Sequence, residues 1–137
     1  MANAWYGKAL ELAVETGLGW TADSILAFLQ CSEHYTPNLD TDDQLADVVS
    51  GGAVTATSGA LAGKANALGV LDATDKVFTA VADNGHYIDY VGLYNDTDAG
   101  DPLLMLWDSG TGIPLYANGG DITVTFGNVA GTLLARI

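Results

Sequence analysis

Between Gly85 and Asp108 the chain sets two runs of aromatic and branched side chains on either side of Asn95-Asp96-Thr97-Asp98-Ala99-Gly100-Asp101-Pro102. Aromatic and branched residues fit a pleated surface, whereas Asn, Asp, Gly and Pro favour turns and compete with ladder hydrogen bonds. The pattern predicts a β-hairpin. On its first arm Ile88, Tyr90, Gly92 and Tyr94 share one face, and Tyr87, Asp89, Val91 and Leu93 the other. On its second arm Leu103, Met105 and Trp107 oppose Leu104, Leu106 and Asp108. Apolar side chains occupy both faces, so the hairpin belongs inside a sheet stack.

Upstream, Asn3 to Gly17 predicts a helix: Asn3 can cap, Trp5, Ala9, Leu12 and Ala13 recur at helical spacing, and Gly17 and Gly19 offer left-handed stops. Ser24 to Gln30 reads as a strand buried on both faces, although a short buried helix would have the same hydrophobicity. Glu33 to Asp40, with Pro37, is loop. A turn or two of helix is expected over Asp42 to Val48, capped by Thr41 or Asp40 and ended by Gly51-Gly52. Ala53 to Thr57 predicts a strand. The small-residue stretch from Ser58 to Gly69 predicts a long excursion or a weakly paired edge.

Asp75 to Val81 predicts another strand, followed by the turn signal Asn84-Gly85. After the hairpin, Ile113 to Tyr116 is expected as a short edge strand because of Pro114, and Ile122 to Phe126 as a strand with one wet face. Thr132 to Ile137 closes the series. Short strands at regular spacing, bounded by Gly and Asn turns, predict a mainly β fold: an antiparallel β-sandwich or small barrel. One N-terminal helix and a short second helical turn would lie outside it. No linker or fixed-period repeat divides the chain, so 1–137 is expected to be one domain.

Composition narrows the function classes. Of the 137 residues, 49% are hydrophobic, yet no apolar run approaches the roughly 20 residues needed to cross a bilayer. Lys8 and Glu11 interrupt any apolar segment at the start, so a secretory leader is not expected. Seventeen acidic side chains against four basic ones give a net charge of -13, which repels phosphate backbones and anionic lipids. Neither nucleic acid nor a membrane is an expected partner. Cys31, the one cysteine, permits no internal disulfide and reads as a small core residue.

Candidate chemistry is sparse. Asn95 to Asp101 and Asn38 to Asp43 alternate oxygen-bearing side chains that could converge on calcium, but neither follows the helix-loop-helix calcium pattern, and turn chemistry accounts for both. His34 and His86 have no metal-binding spacing. Ser58 and Ser109 precede glycines without a nucleophile elbow, and no phosphate-binding glycine motif occurs. Neither a cofactor nor a catalytic constellation is expected. Trp20, Tyr87, Tyr90, Tyr94, Trp107 and Tyr116 could form a sugar-stacking platform, although core and interface packing is the default for such rings.

Several segments carry a resemblance: Trp20-Thr21-Ala22-Asp23-Ser24-Ile25, Tyr35-Thr36-Pro37-Asn38-Leu39, Ser58-Gly59-Ala60-Leu61-Ala62-Gly63-Lys64, Gly69-Val70-Leu71-Asp72-Ala73, Gly112-Ile113-Pro114-Leu115 and Asn118-Gly119-Gly120-Asp121-Ile122. In sequence and order they resemble a family of small tailed-bacteriophage virion structural proteins, from about Trp20 nearly to the C-terminus. The resemblance implies a non-enzymatic virion component, a capsid cement or decoration protein made in the host cytoplasm and carried on the capsid exterior. Its partners would be the major capsid protein and further copies of itself. A jelly-roll β-sandwich is common among such proteins. Trp5, Trp20 and Tyr35 are the candidate interface residues. The competing expectation is a tail-associated fibre or adaptor, or a carbohydrate-binding module with calcium at Asp96 and Asp98. An enzyme using Asp108 or His86 comes third.

Overall fold

The computed structural model describes residues 4–33, 35–49, 54–68, 70–108, 112–126 and 135–136. The predicted hairpin is present, as β7 (Tyr90–Asn95) and β8 (Leu103–Trp107), antiparallel with Leu93 opposite Met105. It lies inside a five-stranded sheet. With β1 (Ala4–Trp5), β2 (Ile25–Gln30) and β3 (Val54–Ala60) the order is β1-β8-β7-β2-β3, every neighbouring pair antiparallel.

Alternation along β2 separates two cores. Ile25, Ala27 and Leu29 join one cluster; Phe28 and Leu26 face the other. Over the first face lie α1 (Gly7–Glu15) and two small antiparallel sheets, β10-β5-β4 and β6-β9. Their strands are β4 (Ala65–Ala67), β5 (Val70–Asp72), β6 (Lys76–Phe78), β9 (Ile122–Val124) and β10 (Ala135–Arg136). Ala9, Leu71 and Phe78 are the buried side chains they contribute. Over the second face runs segment 35–49, ending in α2 (Leu45–Val49), which packs Tyr35, Leu39, Leu45 and Val48 on Phe28, Tyr94, Leu103 and Leu106. The protein is thus mainly β and antiparallel with two helices, an arrangement compatible with a sandwich whose second layer is split.

Several expectations are corrected. The first helix starts at Gly7, because Ala4 and Trp5 pair with Leu106 and Met105 and leave Tyr6 as an extended N-cap. Trp5 is therefore a strand residue; Asn3 lies outside the described residues. The far end follows expectation: Gly17, at φ +92°, donates its N–H to the Leu12 carbonyl at 2.7 Å. Strict alternation on β8 fails because the register skips Leu104, which puts both Leu104 and Met105 in the first core and Leu103 and Leu106 in the second.

α2 starts at Leu45 rather than Asp42, and Asp47 in its first turn reaches back over the start, its Oδ2 accepting from the Asp43 and Gln44 N–H groups at 3.0 Å each. β3 runs on to Ala60, so the excursion is confined to the segment carrying the fully exposed edge strand β4. Asn84-Gly85 joins no hairpin, since β6 pairs with β9; Asp83 and Asn84 instead accept from the Gly85 and His86 N–H groups, turning the chain with their own side chains. Ile113 to Tyr116 contributes one bridge, Leu115 opposite Ile88, after a cis Ile113-Pro114 peptide. His34, Gly51-Gly52 and Ser109 lie outside the described residues, as does all of 132–137 except Ala135 and Arg136.

Candidate functional site

The three residues expected at an interface do not assemble into one. Trp20 is 4% exposed in the first core, its indole N–H donating to the Ala65 carbonyl at 3.0 Å, so it is a packing residue and presents no surface. Trp5 is half-buried against the same core. Tyr35 is half-buried on the opposite face of the sheet, its hydroxyl donating to the Asp42 carboxylate. Desolvation, then Asp42, holds the Tyr35 phenol far above its ordinary range; burial and the same carboxylate do likewise for Tyr6. These groups form a structural layer under segment 35–49.

Within that second face the Tyr6 hydroxyl and both amide atoms of Gln30 are buried with no hydrogen-bond partner among the described residues. Both side chains are 0% exposed. Such groups cost about 1–3 kcal/mol each.

The two acidic clusters serve turns. Asn95, wholly buried, accepts from the Thr97 and Asp98 N–H groups and donates to the Asp23 carboxylate at 2.9 Å. Asn38 accepts from the Asp40 N–H at 3.1 Å, and Asp42 accepts from the Asn38 N–H at 2.7 Å. Among the described residues no three His, Cys, Asp or Glu side chains gather as a metal group would require. His86 sits by itself in sequence, but its Nδ1 meets Glu33 Oε2 at 2.9 Å.

Of the six rings considered as a platform, the structure brings two together at the surface. Tyr87 and Tyr116, 45% and 48% exposed, stack with centroids 3.9 Å apart and planes inclined by 34°. The reason is local. Ile88 and Leu115, their chain neighbours, exchange both backbone hydrogen bonds at 2.7 and 3.0 Å, so the residues flanking them stand side by side. Polar groups lie beside the pair in the chain: His86, whose Nδ1 meets Glu33 Oε2 at 2.9 Å, precedes Tyr87, and Asp83 and Asn84 make the turn before it. Desolvation first, then Tyr87, then the Glu33 and Asp83 carboxylates hold the Tyr116 phenol above its ordinary range.

No family model, curated protein or solved structure matches the chain.

Among the described residues the remaining large exposed apolar side chains are Leu10 and Val14 on α1, Val49, Val77, and Leu68 just after β4. Val14 is 82% and Leu68 98% exposed. Tyr90, Tyr94 and Trp107 pack in the cores, and sequence periodicity alone could not separate them from Tyr87 and Tyr116, since all five occur in strand-like runs. Among the described residues no helix is long and apolar enough to cross a membrane.

Proposed function

We propose that this protein is a non-enzymatic structural component of a tailed-bacteriophage virion, a cement or decoration protein that binds the outer surface of the head shell. The resemblance of its segments supports this reading. The observation that carries it is the exposed Tyr87–Tyr116 pair, two large rings in contact on a bridged loop, accompanied by the exposed Val14 on a helix and Leu68 after an edge strand. Such side chains suit burial against the major capsid protein and neighbouring copies of the same chain. Modest contacts repeated over a symmetric lattice act multivalently, so each needs little affinity.

The test is deletion of the gene followed by composition and heating of purified particles. Stoichiometric presence in the wild-type particle and lower heat resistance without it are expected. Particles of unchanged composition and stability would exclude the role. A tail-associated adaptor or carbohydrate-binding module is the second reading, favoured by the Tyr87–Tyr116 pair alone; antibody label at tail tips would move the assignment there.

A further inference from the structure

We propose that Tyr87 and Tyr116, rimmed by Glu33 and Asp83, form a docking site for an arginine side chain presented by a partner protein. The inference deepens the reading of a protein that docks on another protein and rests on it for the source of the arginine. The chemistry of the site stands separately.

Four observations converge. Two phenol rings, each about half exposed, lie with centroids 3.9 Å apart and planes inclined by 34°, so together they form one aromatic patch in contact with solvent. Guanidinium groups are attracted to such faces and lie flat on them. The rim is acidic: Glu33 is held by His86, the residue before Tyr87, Asp83 lies in the turn that leads to Tyr87, and the whole chain carries a net charge of -13. A cation is therefore favoured over an anion, and also over a neutral sugar, which gains nothing from the carboxylates.

The site is also held in place before anything binds. The exchanged Ile88 and Leu115 hydrogen bonds fix the backbone beneath both rings, and the Asp83 and Asn84 side chains fix the adjoining turn. His86 holds Glu33 at 2.9 Å. Little order remains to be imposed on binding, which favours a small, specific contact. Arginine is preferred to lysine because a planar guanidinium can stack on a ring while donating to a carboxylate at its edge, whereas an ammonium is a compact, strongly hydrated charge.

The experiment is a titration of the folded, isotope-labelled protein with a blocked Gly-Arg-Gly peptide, followed by amide and tyrosine ring resonances. Gly-Lys-Gly and the neutral sugar chitotriose serve as comparisons. Expected are shifts confined to Tyr87, Tyr116, Glu33, Asp83 and their chain neighbours, weaker with the lysine peptide and suppressed by salt. The double variant Tyr87→Ser with Tyr116→Ser should bind about fivefold or more weakly. The double Phe variant, which keeps the faces, should bind as the parent does, and amide resonances of the Ser variant away from the site should match the parent's, so that its loss of binding is not misfolding.

Shifts spread over the acidic surface, equal binding of both peptides, or a response to chitotriose alone would each overturn the proposal. None of these results bears on whether the chain is present in virions. That question belongs to the deletion experiment.

Discussion

At Gly92 the Phe28 ring from the neighbouring strand occupies the space that a β-carbon would need, the two residues facing each other directly in the β2–β7 register. Adding one methyl group forces that ring off its place in the second core. Gly92→Ala should cost about 1–3 kcal/mol, read as a lower midpoint in chemical denaturation. Gln30 predicts the opposite sign. Its amide is wholly buried and unpaired, so Gln30→Met, of similar length, removes an unmet polar group and should raise stability by about 1–3 kcal/mol. An unchanged or lower midpoint would show that the amide has a purpose worth its cost. Neither position was conspicuous in sequence: Gln30 closes a run of apolar residues, and Gly92 interrupts a strand. Asn95 behaves as a polar hub, and Asn95→Ala, which strips the acceptor from the Thr97 and Asp98 N–H groups, should destabilise by about 2 kcal/mol or more.

Among the elements, α2 is short and depends on its start. The Asp47 carboxylate takes two backbone N–H groups, chiefly Gln44 and then Asp43, which hold its pKa below the ordinary value of 3.8. A depressed carboxylate stabilises above its unfolded pKa and loses that effect as pH falls through the folded value. Asp47→Ala should therefore lower stability by about 1 kcal/mol near neutrality and have progressively less effect as pH falls below 3.8, checked by denaturation across that range. Elements also show what could be read in advance. The β7–β8 hairpin was legible because its turn residues are bracketed by two apolar arms close in sequence. The pairing of β6 with β9 was not, since the hairpin lies between them and nothing in Lys76 to Phe78 names its partner. Trp5 fitted a helical stripe as well as a strand edge, and only the free edge of β8 decided the matter. Trp20 illustrates the same difficulty at the site: an aromatic beside a turn can face core or solvent, and tertiary packing chose core.

For the whole molecule, the tyrosines set the alkaline limit. Tyr6, Tyr35, Tyr90, Tyr94 and Tyr116 all have phenols raised above the ordinary value of 10.0, with desolvation the largest cause in each. A raised folded pKa means the native state holds its proton longer than the unfolded chain does. The stability contributed is complete below 10.0 and lost as pH rises through the folded values. Phenolate absorbance should accordingly lag behind that of free tyrosine, and the part owed to the buried Tyr6 and Tyr94 should appear together with unfolding. Full phenolate absorbance reached without loss of structure would contradict the burial described. With β7 hydrogen-bonded to a strand on either side and covered above and below, its amides have no local route to water. Deuterium should reach Val91 and Leu93 only when the entire domain opens, making those two protons a clock for global unfolding, whatever the surface is doing.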